Sequence, residues 1–459
     1  MKQTYSSIRN IRQTITGFFA KGHPRSQEAK KNIAASFLIK GLSIAVSLIL
    51  VPLTIHYVNP TKYGIWLTLS SIIGWISFFD IGFGNGLRNK LAEVKGLGDF
   101  SKAKIYVSTT YAILTLIFSG VLLVFYLVNH FINWSKLLNA PPEMAKELSM
   151  LAIIMFTFFC IQIIMKTIST ILIADQKPAK AAFFDMMGQL IALVIIFILT
   201  KTTSGSLLYL GVVYSMAPIV VLTISTLWFF NGSYKDISPS FKSVEFRYAK
   251  DLMSLGLKFF IIQIAGIIIY QTSNIIISNT SQPADVTVFN IAYKYFGIIT
   301  MLYAILLTPY WSAFTDAKAK NEYSWMLNSY YQLRKIWMYI TIIVVLMLLL
   351  SPFIYKAWIG KTVSVPFIVS VFMAVNVILL TWITVHSQLL NGLGKIKLQL
   401  YYAIFGLIVN IPVSFYLGTK FGIIGVIGAS ILVNLIGAIW PPIQISLLLN
   451  KKAVGIWNK

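Results

Sequence analysis

The sequence predicts an all-α integral membrane protein with about twelve transmembrane helices in two six-helix lobes, related by a pseudo-two-fold axis along the membrane normal. Three observations lead there: an apolar composition, a series of apolar runs long enough to cross a bilayer, and a weak repeat at half the chain length. Of 459 residues, 57% are hydrophobic and 11% charged, where a soluble domain carries about 25% charged residues. The mean hydropathy is +0.76.

A spanning helix needs about 20 mostly apolar residues. Runs of that kind fall at roughly 33–57, 65–86, 106–129, 149–173, 181–200, 206–230, 253–278, 287–312, 333–355, 364–390, 398–418 and 422–449. The net charge of +24 would suit a nucleic-acid binder if the basic residues shared one soluble surface. They lie between the apolar runs instead, which fits loops facing the positive-inside side of a membrane and excludes nucleic acid as a partner. With the N-terminus inside, the inner segments hold 28 Lys and Arg and the outer ones 7. Both termini are therefore expected in the cytoplasm.

The longest inner loop, 231–252, divides the spans six and six. "IADQKPAKAAFF" (173–184) and "LNGLGKIKLQLY" (390–401) occupy equivalent turns. Aligning Lys180 with Lys397 gives an offset of 217 residues, which carries Lys40 to within one residue of Lys258. Such an offset preserves orientation, so the halves are expected to be parallel repeats. The expected organisation is a basic cytoplasmic segment at 1–32, a first lobe at 33–230, a linker at 231–252, a second lobe at 253–449 and a tail at 450–459. The basic segment lacks the apolar core of a signal peptide, so no cleavage is expected. "SSIRNIRQTITGFF" reads equally as an amphipathic surface helix or as an unstructured tail.

The stretch "FFDIGFGNGLRNK" (78–90) places Asp80, Gly82, Gly84, Gly86 and Arg88 at the inner end of the second run. A phosphate-binding loop would need a strand before it and a glycine fingerprint, and neither is present. The stretch reads as a helix terminus, since glycine accepts the left-handed geometry that ends helices, with Arg88 among the headgroups. Closely spaced glycines would also let helices approach and rock at an inner gate.

"FFDIGFGNGLRNKLAE" followed by "GDFSKAKIYVSTTY", together with "NPTKYGIWLTLSSI" (59–72) and "LLNGLGKIKLQ", resembles bacterial polysaccharide exporters, the O-antigen and capsule-repeat flippases of the Wzx type within the multidrug/oligosaccharidyl-lipid/polysaccharide (MOP) superfamily. The resemblance covers residues from about 30 to 450. It implies two lobes forming a V around a cavity that opens to each side in turn. The implied cargo is an undecaprenyl-pyrophosphate-linked oligosaccharide, the location the bacterial cytoplasmic membrane, and the neighbours membrane lipids and a polysaccharide polymerase or assembly complex.

Ionisable groups inside spans are functional candidates by default. They are Lys40, Asp80, Lys166, Asp185 and Lys294, with Lys258 just inside span seven. Lys40, Lys166 and Lys258 are expected in the inner half of the bilayer and Lys294 in the outer half. Such cations would guide a diphosphate across about 30 Å of hydrocarbon. Competing readings are snorkelling of Lys40 and Lys258 to the headgroups and a structural Lys166–Asp185 pair. Tyr270, Tyr293, Tyr295, Tyr303 and Tyr310 would offer ring faces to sugars or mark an interface. Gln162, Gln189, Gln263, Gln271, Asn274, Asn376, Gln388 and Asn410 would bind hydroxyls or join helices.

No cofactor, metal site or catalytic residue is expected, and no ATP-binding motif appears in the sequence. Asp80 and Asp185 are the in-span carboxylates available to a coupling proton. The rival readings are a cationic-drug exporter of the same fold, which would favour an acidic cavity, and an O-antigen polymerase or ligase, which would need catalytic groups on a substantial outer loop.

Overall fold

The computed structural model describes residues 24–75, 82–175, 177–253, 271–319 and 321–458. Asp80, Lys258, Tyr270, Gln263 and the basic segment as far as residue 23 lie outside them. The described chain is an all-α bundle containing nine helices long and apolar enough to cross a membrane. The first half comprises α1 (Pro24–Val58), α2 (Pro60–Gly74), α3 (Phe83–Gly96), α4 (Phe100–Asn129), α5 (Ala145–Met165), α6 (Thr167–Ala174), α7 (Pro178–Thr202) and α8 (Leu207–Asn231), of which α2 and α3 are too short to be among the nine. A linker of three short 3-10 turns follows, then a helical stretch at 271–280. The second half continues with α9 (Pro283–Ala319), α10 (Tyr323–Ile359), α11 (Phe367–Leu393) and α12 (Lys397–Leu449). The end of the bundle where α1 starts carries most of the lysines and arginines and is called the basic face below.

Helix starts follow local chemistry. Pro60 occupies the first turn of α2, while the Asn59 side chain accepts from the Lys62 amide at 3.0 Å. Asp99 caps α4 in the same way, accepting from the Lys102 amide at 2.9 Å. Each cap satisfies an amide that the helix itself leaves unbonded.

One expectation needs correction. The second run was expected to span 65–86 and to end at the glycines. The structure instead ends α2 at Gly74 and opens a new helix at Phe83, with Gly82 left-handed at φ 81° as its N-cap. The glycine run therefore starts a helix: Gly82 takes the left-handed conformation just ahead of it, and Leu87 and Leu91 within it are fully buried. The fourth run, expected at 149–173, is one span within Pro142–Ala174, with a single-residue turn at Lys166 between α5 and α6.

The 53 residues of α12 would measure about 80 Å if straight, far beyond a bilayer. Gly422, at φ 57° and ψ −135°, folds the helix back on itself. The Asn410 amide donates to Ser430 Oγ at 3.3 Å and the Tyr402 hydroxyl to Asn434 Oδ1 at 3.2 Å, so the two arms run antiparallel. At the bend a Cβ on Gly425 would lie 2.0 Å from the Leu417 carbonyl oxygen. The runs at 398–418 and 422–449 are these two arms.

The two halves of the chain meet away from the basic face. Thr287 Oγ1 donates to the Pro60 carbonyl at 2.7 Å, and a Cβ on Gly64 would sit 1.7 Å from the Pro283 carbonyl oxygen. Deeper in, Asn290 Nδ2 donates to Asn274 Oδ1 and Asn274 Nδ2 to Ser71 Oγ, both at 2.8 Å. Ser278 Oγ reaches the Leu138 carbonyl at 2.9 Å, and Trp358 Nε1 the Leu48 carbonyl at 2.7 Å. One buried core runs through this clasp, joining Ile65 and Leu69 to Ile277, Val286 and Phe289. Towards the basic face the second half keeps a separate core of Phe314, Met326, Tyr330, Leu389 and Ile445. Among the described residues the halves are thus fastened at one end, and the second half has its own core at the other.

Because overpacking a close contact costs about 1–3 kcal/mol, Gly64→Val should weaken the clasp. Spin labels at Thr61 and Gln282, on either side of it, are expected to show a longer and broader distance distribution in that variant. An unchanged distribution would mean that the contact is not what holds this end shut.

Candidate functional site

Lys294 lies eleven residues along α9, about 17 Å from its start at 1.5 Å per residue. That places it halfway along Pro283–Ala304, the 22-residue part of α9 long and apolar enough to cross a membrane. A lysine at the centre of a spanning helix costs about 2.5–3.5 kcal/mol. The side chain is half-buried, and the ion pairs among the described residues give it no carboxylate. Its neighbour Tyr293 is partly exposed and stacks on Phe289, with ring centroids 6.0 Å apart. Tyr295 is core: its hydroxyl donates to the Met347 carbonyl at 3.0 Å and its ring packs edge-on against Tyr355. Tyr303 is buried as well.

Tyr293 and Phe289 form one wall of a cavity of about 390 Å³. The other walls come from α11, with Asn376, Leu380 and Ile383, and from both arms of α12, with Gln399, Tyr402, Asn410, Ser430 and Asn434. The fold-back at Gly422 is what sets the amides of the two arms opposite each other. Among the described residues none of those lining it is charged. Of these polar groups only Asn376 and Asn410 stood out in the sequence. Tyr402 and Asn434 are brought together by the hairpin, a tertiary event without a local signal.

Lys40, Lys166 and Asp185 are all exposed and lie in the half of the bundle nearer the basic face. Ser43 donates to Gln189 Oε1 at 2.9 Å between α1 and α7. Lys40 is one turn before Ser43 and Asp185 one turn before Gln189, so both lie at one level on the faces that meet there. The structural Lys166–Asp185 pair is absent from the ion pairs among the described residues.

Of the glycines, Gly86 has a clear role: a Cβ there would lie 1.8 Å from the Leu252 carbonyl oxygen, so α3 touches the end of the linker backbone to backbone. Gly84 is half-buried in the first turn of α3, and Arg88 is exposed on that helix. His386 is buried and satisfied, with Nδ1 2.7 Å from the Trp382 carbonyl oxygen and Nε2 3.2 Å from the Tyr330 hydroxyl. Among the described residues no group of His, Cys, Asp and Glu is arranged to hold a metal.

One ionic centre was missed by the sequence reading. Asp175, at the end of α6, pairs with Lys95 of α3, with Lys177 at 2.5 Å and with the Tyr234 hydroxyl of the linker at 2.8 Å. Both lysines also lie over the Tyr234 ring, at 5.0 and 5.6 Å from its centroid. Burial pushes the Asp175 carboxyl up, but the hydrogen bonds from Lys177, Lys95 and Tyr234 outweigh it and hold the group below the usual carboxylate range. Burial and the adjacent carboxylate push the Tyr234 hydroxyl well above the usual phenol range. The centre ties α3, the α6–α7 turn and the linker together at the basic face. "ADQK" gave no hint of partners that lie 80 and 59 residues away.

Residues 29–315 match the profile of a family described as polysaccharide biosynthesis protein, which is more than half of the chain. A proposed O-antigen transporter of Salmonella typhi is 21% identical over 89% of this chain and 93% of its own length. A proposed O-antigen export protein of Yersinia pseudotuberculosis is 20% identical over 87% and 91%. Among solved structures, the inward-facing conformation of a multidrug resistance MATE family transporter of the MOP superfamily superposes with a TM-score of 0.71, at 14% identity over 92% of this chain and 96% of that one. The lipid II flippase MurJ in an inward closed conformation gives 0.67, at 15% identity over 90% and 87%. An outward-facing MATE conformation gives 0.63, at 16% identity over 93% and 97%. The fold is thus shared with membrane transporters.

The Asp175 centre carries a pH signature. Its folded pKa is depressed, so its contribution is complete at neutral pH and is lost as pH falls below the unfolded value of about 3.9. Asp175→Asn should destabilise the purified protein by about 1–3 kcal/mol at neutral pH. In thermal unfolding the gap between variant and wild type is expected to close below about pH 4. A gap independent of pH would assign the loss to packing.

Proposed function

Because the chain belongs to the polysaccharide biosynthesis protein family, we propose that it is an alternating-access flippase moving an undecaprenyl-pyrophosphate-linked oligosaccharide across the bacterial cytoplasmic membrane. The observation that carries the proposal is Lys294, a mid-span cation whose neighbour Tyr293 lines an uncharged polar cavity. A diphosphate exposed to hydrocarbon is prohibitively costly. A route with a cation at mid-depth lowers that barrier, while the polyprenyl tail remains in lipid.

On this reading the basic face is cytoplasmic, with both termini there. Residues 33–230 and 253–449 are the two six-helix lobes, joined by 231–252 and related by a pseudo-two-fold axis along the membrane normal. The clasp at the opposite face makes this an inward-facing state, and the better superposition on an inward-facing than on an outward-facing MATE conformation supports it. Lys40, Lys166 and Lys258 collect the diphosphate near the cytoplasmic mouth, and Lys294 receives it at mid-depth. Asp185 and Asp80 are the carboxylates offered for ion coupling. Gly86 and Leu252 give the linker a pivot against α3. A cationic-drug exporter of the same fold is disfavoured by a cavity lining without a carboxylate among the described residues.

The test places the purified protein in liposomes containing a fluorescent undecaprenyl-pyrophosphate oligosaccharide and follows its arrival in the opposite leaflet. Lys294→Ala is expected to slow translocation at least tenfold, about 1.4 kcal/mol in the barrier. Lys166→Ala, nearer the mouth, should slow it less. No movement by the wild type under any imposed gradient would discard the flippase. Movement indifferent to both lysines would discard their role in guiding the charge.

A further inference from the structure

We infer that the uncharged cavity between α9, α11 and the two arms of α12 is a sugar subsite, accepting neutral pyranose rings of the cargo while Lys294 faces the diphosphate. The inference rests on the flippase reading and deepens it by dividing recognition of the cargo between two places.

The lining has the composition a sugar requires. Tyr293, Phe289 and Tyr402 provide ring faces for the C–H surfaces of a pyranose, while Asn376, Gln399 and Asn434 provide amides for its hydroxyls. Each amide offers two donors and two acceptor lone pairs, which suits a polyol that also donates and accepts at every hydroxyl. The volume of about 390 Å³ lies within the roughly 300–1,000 Å³ of small-molecule sites. Among the described residues the lining holds no Asp, Glu, Lys, Arg or His, so those residues offer no charge to a diphosphate, a cationic drug or a coupling proton. Its mixture of apolar surface and amides suits a ligand that is neutral and carries both C–H faces and hydroxyls.

The amides are also held in place. Tyr402 donates to Asn434 Oδ1 at 3.2 Å, and Asn434 Nδ2 donates to Asn376 Oδ1 at 2.9 Å, a relay crossing from one arm of α12 to the other and on to α11. Tyr402 fits because residue 437 is glycine; a Cβ there would lie 2.3 Å from its ring and hydroxyl. Gln399 Oε1 is buried and has no hydrogen-bond partner among the described residues. A buried acceptor left in that condition costs about 1–3 kcal/mol, and a sugar hydroxyl would satisfy it. Gln399 lies two residues from the start of α12 at the basic face, whereas Asn376 and Asn410 lie near mid-depth. The cavity therefore extends along the direction of transport rather than across it.

Interhelical bonding alone would also place amides here, so the test must separate recognition from adhesion. Binding is measured on the full chain in nanodiscs with two probes, undecaprenyl-diphosphoryl N-acetylglucosamine and sugar-free undecaprenyl diphosphate. The wild type is expected to bind the sugar-bearing lipid at least tenfold more tightly. Asn376→Leu and Asn434→Leu should remove that preference and leave binding of the sugar-free lipid unchanged, which also reports that they are folded. Lys294→Gln should weaken both lipids together. Tyr402→Phe keeps the ring, removes the hydroxyl and serves as a milder variant should the leucine variants not be recovered. Equal binding of both lipids by the wild type, or equal loss of both in the amide variants, would overturn the subsite and leave the flippase standing. Binding of neither lipid by the wild type would overturn both.

Discussion

The structure depends on a polar clasp set in an apolar bundle. Helices in lipid gain little hydrophobic energy from meeting one another, so small residues and hydrogen bonds decide where they adhere. Here Gly64 brings the start of α2 against Pro283, Thr287 bonds back to Pro60, and Ser71, Asn274 and Asn290 form a relay further in. Away from water each of these groups needs its partner, so the relay fixes the register of α2 against α9. One continuous core then forms around it, while the second half builds a separate core at the basic face. That fastening at one end is the mechanical ground of the proposed opening towards the basic face.

The same arrangement accounts for the ionisable groups. Where the chain fixes structure with charge it neutralises the charge locally, as Asp175 does with Lys95 and Lys177 at the basic face. Lys294 has no carboxylate partner among the described residues, and the nearby cavity mixes amides with apolar surface and has no charged residue among those described. The contrast between a neutralised structural centre and a cation without such a partner is the physical ground of the proposal that Lys294 serves transport.

Much of the architecture was legible in the sequence, since apolar run length and loop charge are local properties. The helix pair in α12 was placed to within a few residues because the apolar runs are separated by a short polar turn ending at Gly422. The second run was misread for an equally local reason. Glycine permits both the end and the start of a helix, and only the burial of Leu87 and Leu91 shows that Gly82 begins one. Lys294 was singled out as an in-span cation, and α9 starts at Pro283, a few residues before the run at 287–312 read from hydropathy. The cavity amides and Asp175 were less legible. Their meaning lies in partners contributed by other helices, such as Asn434 for Tyr402 and Tyr234 for Asp175, and no spacing in the sequence encodes those meetings.

The central claim is that Lys294 lies on a path reached from the basic face while the other end is clasped shut. Cys160 is the single cysteine of the chain and is buried, so replacing it by serine and placing one cysteine at position 294 gives a clean reporter. Membrane-impermeant thiol reagent would be applied to vesicles of each orientation, with the protein at rest. The account predicts labelling from the basic side and protection from the opposite side. Labelling from the opposite side alone, or from neither, would contradict it.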